Sequence, residues 1–230
     1  MKKTFVGWSG GKDCTLALHK IIEEKIYKPE FLLTNVSAET NRVSMHGVRR
    51  ELITRQEFSL GIKGRKIYLP TDYTYETYNK YMRHECDLMK QRGIDYAVFG
   101  DIFLEDLKKY REEKLAEAGL TGVFPLWKKP SKEIYNEFIG LGYKAMIVCV
   151  NNNKLGKEFL GKTLDKELLD KFPGDVDCCG ENGEFHTFAY DGPIFRQSIQ
   201  FSIGETVYKT YESPDKKGDM GFYFLDIVPT

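Results

Sequence analysis

Phe5-Val6-Gly7-Trp8-Ser9-Gly10-Gly11-Lys12-Asp13-Cys14 decides how this chain folds. Phe5 to Trp8 is a short apolar strand, Ser9 to Asp13 a glycine turn, and Cys14 to Glu24 a helix with Leu18, Ile21 and Ile22 on one face. Glycines at the turn let backbone N–H groups approach an anion without a Cβ in the way. The helix N-terminus adds partial positive charge, and Lys12 can donate to phosphate oxygens. Asp13 would repel a bare phosphate, so its natural role is to hold Mg2+ between itself and the phosphates. The competing reading is a tight structural turn. Neither the GxGxxG fingerprint nor the GxxxxGK[ST] loop is present.

Outward from this turn, strands and helices alternate. Strands are expected at Phe31 to Val36, Lys66 to Pro70 and Tyr96 to Phe99. Helices are expected at Gly47 to Leu60, Glu76 to Gln91 and Phe103 to Ala118, with a polar, mobile loop at 37–45. Such alternation predicts an α/β domain with a parallel, Rossmann-like sheet covered on both faces. Ligands of these sheets sit at the carboxyl ends of the strands, where Ser9, Ser37, Asp72, Gly100 and Asp101 fall.

Past Val123 the character changes. A helix is expected at Ser131 to Leu141, a strand at Lys144 to Val150 and a helix at Asp165 to Phe172. Strands follow at Glu184 to Tyr190, Phe195 to Ile203, Val207 to Glu212 and Gly221 to Val228. The expectation is a nucleotide-binding domain over 1–125 and a smaller strand-rich α+β domain over 126–230 that recognises the substrate.

The 230 residues carry 34 Lys and Arg against 34 Asp and Glu. Without a basic excess, no long nucleic-acid backbone is expected as partner. The longest unbroken apolar run, Ala145 to Val150, is far short of the roughly 20 residues a membrane helix needs, so a cytoplasmic protein is expected. Cys14, Cys86, Cys149, Cys178 and Cys179 include no CxxC pair, which argues against a disulfide framework or structural zinc. Cys14, Cys86 and Cys149 read as packing residues; Cys178 or Cys179 is the one with a place near a site.

Ser9-Gly10-Gly11-Lys12-Asp13 resembles the loop of the N-type ATP pyrophosphatases, which adenylate a substrate oxygen and release pyrophosphate. A second segment is more specific. Gly180, Glu181, Gly183, Glu184, Phe185, Thr187, Asp191 and Pro193 resemble the C-terminal signature of the diphthine–ammonia ligase family, Gly-Glu-Gly-Gly-Glu-Phe-x-Thr-x-x-x-Asp-x-Pro. Met45-His46, Pro125-Leu126-Trp127 and Leu141-Gly142-Tyr143 are similar to family features as well. Asn182 replaces a common glycine, Cys14 stands where serine often follows the loop aspartate, and Asp101 replaces a small residue. The last departure leaves room for an acceptor other than diphthine.

The resemblance implies an ATP- and Mg2+-dependent ligase. A carboxylate, that of diphthine on elongation factor 2, would be adenylated and then attacked by free ammonia, releasing AMP and pyrophosphate. A related pyrophosphatase acting on tRNA or a small metabolite, and a nucleotide-binding regulator without turnover, are the alternatives. Ser9, Gly10, Gly11, Lys12, Asp13, His46, Gly100 and Asp101 are the candidates for nucleotide, with Asp13 for metal. Glu181, Glu184 and His186 are the candidates for ammonium or acceptor; Lys12, Asp13, Glu184 and His186 are those for catalysis. Each has a plainer reading: an exposed hairpin for Glu181 and Glu184, a hydrogen bond within the sheet for His186, and a cap for His46. For Asp101 the plainer reading is the N-cap of the helix after it. Edges in the strand-rich half leave room for a homodimer.

Overall fold

The computed structural model describes residues 1–71, 73–212 and 219–230; Asp72, expected at a strand end, lies outside them. The first half builds β1 (Lys2–Gly7), α1 (Lys12–Glu24), β2 (Tyr27–Ser37), α2 (Arg50–Leu60), β3 (Lys63–Leu69), α3 (Tyr75–Gln91), β4 (Tyr96–Val98), α4 (Glu105–Glu117) and β5 (Thr121–Val123). These strands form one parallel sheet in the order β3-β2-β1-β4-β5. β1 lies at its centre, and Thr4, Phe5 and Val6 are fully buried. A strand covered on both faces needs an unbroken apolar run rather than an alternating one. Phe5 joins Leu33, Cys86 and Met89 in the core under α3 and α4. Val6 joins Leu18 and Ile21 in the core on the opposite face. Ile22, expected on the buried face of α1, is exposed.

The second half adds α5 (Ser131–Gly140), β6 (Lys144–Asn151), α6 (Lys166–Leu169), β7 (Phe185–Asp191), β8 (Phe201–Glu212) and β9 (Asp219–Pro229). Its antiparallel sheet runs β7-β6-β9-β8. Phe188, Ala189 and Ile147 share one core with Leu16, Leu18 and Leu52, so the second sheet packs on the α1–α2 face of the first. Among the described residues no helix is long and apolar enough to cross a membrane.

Several elements differ from the sequence reading, each for a local reason. Phe195 to Gln200 is irregular rather than a strand, because α2 takes its backbone hydrogen bonds. Arg196 N–H donates to the Ser59 carbonyl at 3.0 Å and Gln197 N–H to Ser59 Oγ at 3.1 Å. Residues 37–45, expected to be mobile, are tied in by bridges Val36–Val43 and Arg42–Arg49, with Val43 buried. That second bridge delays α2 to Arg50. Both arginines also hold Asp226 of β9, Arg42 Nη1 at 2.8 Å and Arg49 Nη2 at 2.6 Å. The helix after β4 starts with Leu104 as its N-cap, so Asp101 does not cap it.

Candidate active site

The order β3-β2-β1-β4-β5 reverses direction between β1 and β4, and a crevice opens there at the strands' carboxyl ends. The glycine turn leaves β1 on one side, and Gly100-Asp101 follows β4 on the other. A Cβ on Gly100 would lie 2.7 Å from the Asp13 carbonyl carbon and 2.9 Å from the Cys14 nitrogen. Only glycine lets the two loops close on each other.

The turn is also held from the second half. Gly10, at φ +81°, aims its carbonyl inward, where the Ala189 N–H donates to it at 2.8 Å and Gln56 Nε2 at 3.0 Å. Gln56 is fully buried on α2. It donates also to the Ala189 carbonyl at 2.6 Å and accepts the Trp8 indole N–H at 2.9 Å. Gln56 was not foreseen. It is a polar residue on the same helical stripe as Leu52 and Leu60, and that is the one signal the sequence offers. Thr187 of β7 was a motif residue only. Its Oγ1 accepts the Lys12 N–H at 3.0 Å, capping α1 from across the molecule.

A cavity of about 150 Å3 lies above the turn. Ser9, Lys12, Asp13, His46 and Asp101 line it from the first half, and Cys179, Glu181, His186 and Thr187 from the second. The candidates from both motifs therefore meet. Glu184 does not reach the cavity. It is buried beneath the 177–184 turn, accepting from the N–H of Asp177 at 3.1 Å, the N–H of Asn182 at 3.0 Å and Asn182 Nδ2 at 3.0 Å. The sequence reading made Glu184 a catalytic group; the structure places it as a brace for the turn that carries Glu181. Asn182 supplies two of those three donors.

Charge in the cavity is concentrated and partly unsatisfied. Lys12 Nζ contacts Asp13 Oδ2 at 2.8 Å and donates to the Cys179 carbonyl. Burial opposes the Lys12 charge, but Asp13 beside it, with Cys179 and Glu181, holds the ammonium above the ordinary lysine range. Burial lifts the Asp13 carboxyl above its ordinary value against the pull of Lys12. Asp13 Oδ1 is buried without a hydrogen-bond partner. Burial, with Asp13 and Asp101 nearby, pushes Glu181 up to about 7, although its Oε1 accepts the Ile102 N–H at 2.8 Å. Asp101 Oδ2 lies 2.9 Å from Arg111 Nε without hydrogen-bond geometry, and burial lifts the Asp101 carboxyl above its ordinary value against the pull of Arg111.

His46 and His186 stack with ring centroids 4.5 Å apart. His46 Nδ1 donates to the Thr187 carbonyl at 3.1 Å, which leaves Nε2 as an acceptor. Burial drives the His46 pKa down to about 4 and puts that of His186 well below the usual imidazole range, so both rings are neutral near pH 7. His186 Nε2 has no partner.

The orphaned Asp13 oxygen is a ligand that Mg2+ can take, and the lysine and helix N-terminus beside it suit the phosphates such an ion would accompany. Among the described residues no three His, Cys, Asp or Glu side chains are grouped to hold a metal alone. A magnesium ion here would take its remaining ligands from phosphate oxygens and water, so the residues fit Mg2+ carried with ATP. The cavity is small against the roughly 300–1,000 Å3 of ordinary ligand clefts. A larger one of about 650 Å3, bounded by Tyr78, Met82, Phe99 and Arg111, lies between α3 and α4. The Asp101–Arg111 pair joins the walls of the two.

Comparison with known families decides the relationship. The diphthamide synthase N-terminal domain matches residues 2–122, and the diphthamide synthase C-terminal domain matches residues 130–217. The chain belongs to the diphthamide synthase family. The chain is similar to the diphthine–ammonia ligase of Homo sapiens, 33% identical over 128 residues that cover 52% of this chain and 47% of the relative. With that of Danio rerio it is 29% identical over 164 residues, 67% of this chain and 61% of the relative. With that of Schizosaccharomyces pombe it is 28% identical over 155 residues, 64% and 25%. The chain thus matches about half the length of these animal relatives and a quarter of the yeast one.

Proposed function

We propose that this chain is an AMP-forming amide ligase that adenylates an acceptor carboxylate and transfers ammonia to it, the acceptor being diphthine on elongation factor 2. The observation that carries the reading is the shared cavity. The glycine turn with Lys12 and Asp13 faces Glu181 and His186, so a triphosphate and an acceptor would meet there. Residues 1–125 would bind the nucleotide, its base and ribose in the larger cavity. Residues 126–230 would present the acceptor, in the cytoplasm where the elongation factor works.

In this account an acceptor oxygen attacks the ATP α-phosphorus, the bond to the bridging oxygen breaks, and pyrophosphate leaves. The N-terminal N–H groups of α1 and Lys12 hold the departing charge. Bound Mg2+ would neutralise phosphate charge beside Asp13. Ammonia then attacks the acyl carbon, AMP leaves with the former carboxylate oxygen, and the nitrogen loses a proton. His186, neutral and with Nε2 unpaired, is placed to accept that proton. Glu181 attracts ammonium into the cavity and takes the proton whose loss turns it into ammonia, and Glu184 holds Glu181 in place. Gathering these groups supplies positioning that free reactants lack.

The test is incubation with ATP, isotope-labelled ammonium and elongation factor 2 bearing diphthine. Label in the acceptor amide supports the reading; AMP release with no labelled acceptor points to another carboxylate.

A further inference from the structure

β8 forms an edge of the antiparallel sheet, and Ser202 to Tyr211 are all exposed. Ile203, Val207, Tyr208 and Tyr211 are large apolar or aromatic residues on this open strand. Neither Glu205 nor Lys209 has an ion-pair partner among the described residues. The opposite edge is different. β7 is closed off by the glycine turn, through Ala189 N–H to Gly10 and Lys12 N–H to Thr187. One edge is covered and the other is bare.

We propose that β8 pairs antiparallel with β8 of a second copy, about a two-fold axis at Val207. In such a pair, residues equally distant from the axis face each other. With the axis at Val207, Glu205 faces Lys209 of the partner copy, and Lys209 faces the partner copy's Glu205. The same axis sets Val207 on itself and Thr206 against Tyr208. An axis at Glu205 or at Lys209 sets like charges against each other, and no axis except that at Val207 pairs the two opposite charges. Lone charges on an edge strand oppose indiscriminate pairing, so these two select one register. The β-bulge between Ile203 and Thr206 bends the strand and confines the contact to a short run around Val207. Because the β7 edge is covered, the pairing closes as a dimer and cannot continue into a fibre.

Sedimentation of the full chain tests this, with Lys209→Glu, the exchange Glu205→Lys with Lys209→Glu, and Val207→Cys. The expected results are a wild-type dimer and a dissociation constant raised about tenfold or more in Lys209→Glu, where two attractive contacts become repulsive. The exchange restores the dimer, and Val207→Cys cross-links under oxidation well above the wild-type background. All three positions are at the surface, so these variants should fold, which circular dichroism checks. A monomeric wild type, a Lys209→Glu dimer of unchanged strength, or no Val207→Cys cross-link overturns the proposal. So does a β8 that pairs only with another protein's strand.

Discussion

Thr187 Oγ1 accepts the backbone N–H of Lys12 at 3.0 Å, so a strand of the second half caps the helix that follows the glycine turn. The contact spans 175 positions of sequence. Thr187→Val keeps the side-chain shape and deletes the acceptor. The expected cost is about 1–3 kcal/mol, the range for a buried donor left unmade, and weaker ATP binding as the Lys12 backbone shifts. Denaturant unfolding and calorimetric titration with ATP measure the two effects.

Gln56 is the brace on the other side of the turn. Gln56→Leu leaves the Trp8 indole N–H without a partner and removes a donor from the carbonyls of Gly10 and Ala189. A loss of roughly 3 kcal/mol is expected, read as a lower urea midpoint at unchanged slope.

How much of this could be read in advance follows from where each contact comes from. The strand-turn-helix around Ser9 to Asp13 was legible because local patterning and glycine placement fix it. So was the meeting of that turn with Glu181 and His186, through the resemblance. Gln56 was not, because its partners lie 46, 48 and 133 positions away and no local spacing encodes them. Glu184, a candidate through the resemblance, lies one residue before β7, and its carboxylate is taken up by the N–H groups of Asp177 and Asn182, contacts that no local spacing announces. Phe195 to Gln200 has the apolar content of a strand, but Ser59 outcompetes a strand partner for its backbone.

Gly100→Ala tests the closeness of the two loops. The added methyl would overlap the Asp13 backbone, so the turn must move. Overpacking of this kind costs about 1–3 kcal/mol. ATP affinity should fall further than that stability loss would suggest, which separates damage to the site from damage to the fold.

Two carboxylates give opposite pH signatures. Arg49 and Arg42 depress Asp226 to about 2, below its ordinary 3.8. Its contribution is present above about 3.8 and lost as pH falls toward 2. It is about 1–2 kcal/mol after allowing for the partial exposure of both arginines. Glu181, raised to about 7 from 4.5, behaves the other way: its stabilisation is full below 4.5 and lost as pH rises through 7. Asp226→Asn should flatten the acid limb of a stability-versus-pH curve. Glu181→Gln should remove the decline approaching neutrality, and its persistence in that variant would assign it to another group.

The account's central claim is cleavage between the α- and β-phosphates of ATP, driven by an acceptor carboxylate. Chromatography of ATP labelled in the adenine, incubated with Mg2+, ammonium and diphthine-bearing elongation factor 2, reads it most directly. AMP should appear in step with pyrophosphate, and only when the acceptor is present. ADP with inorganic phosphate as the products would contradict the account.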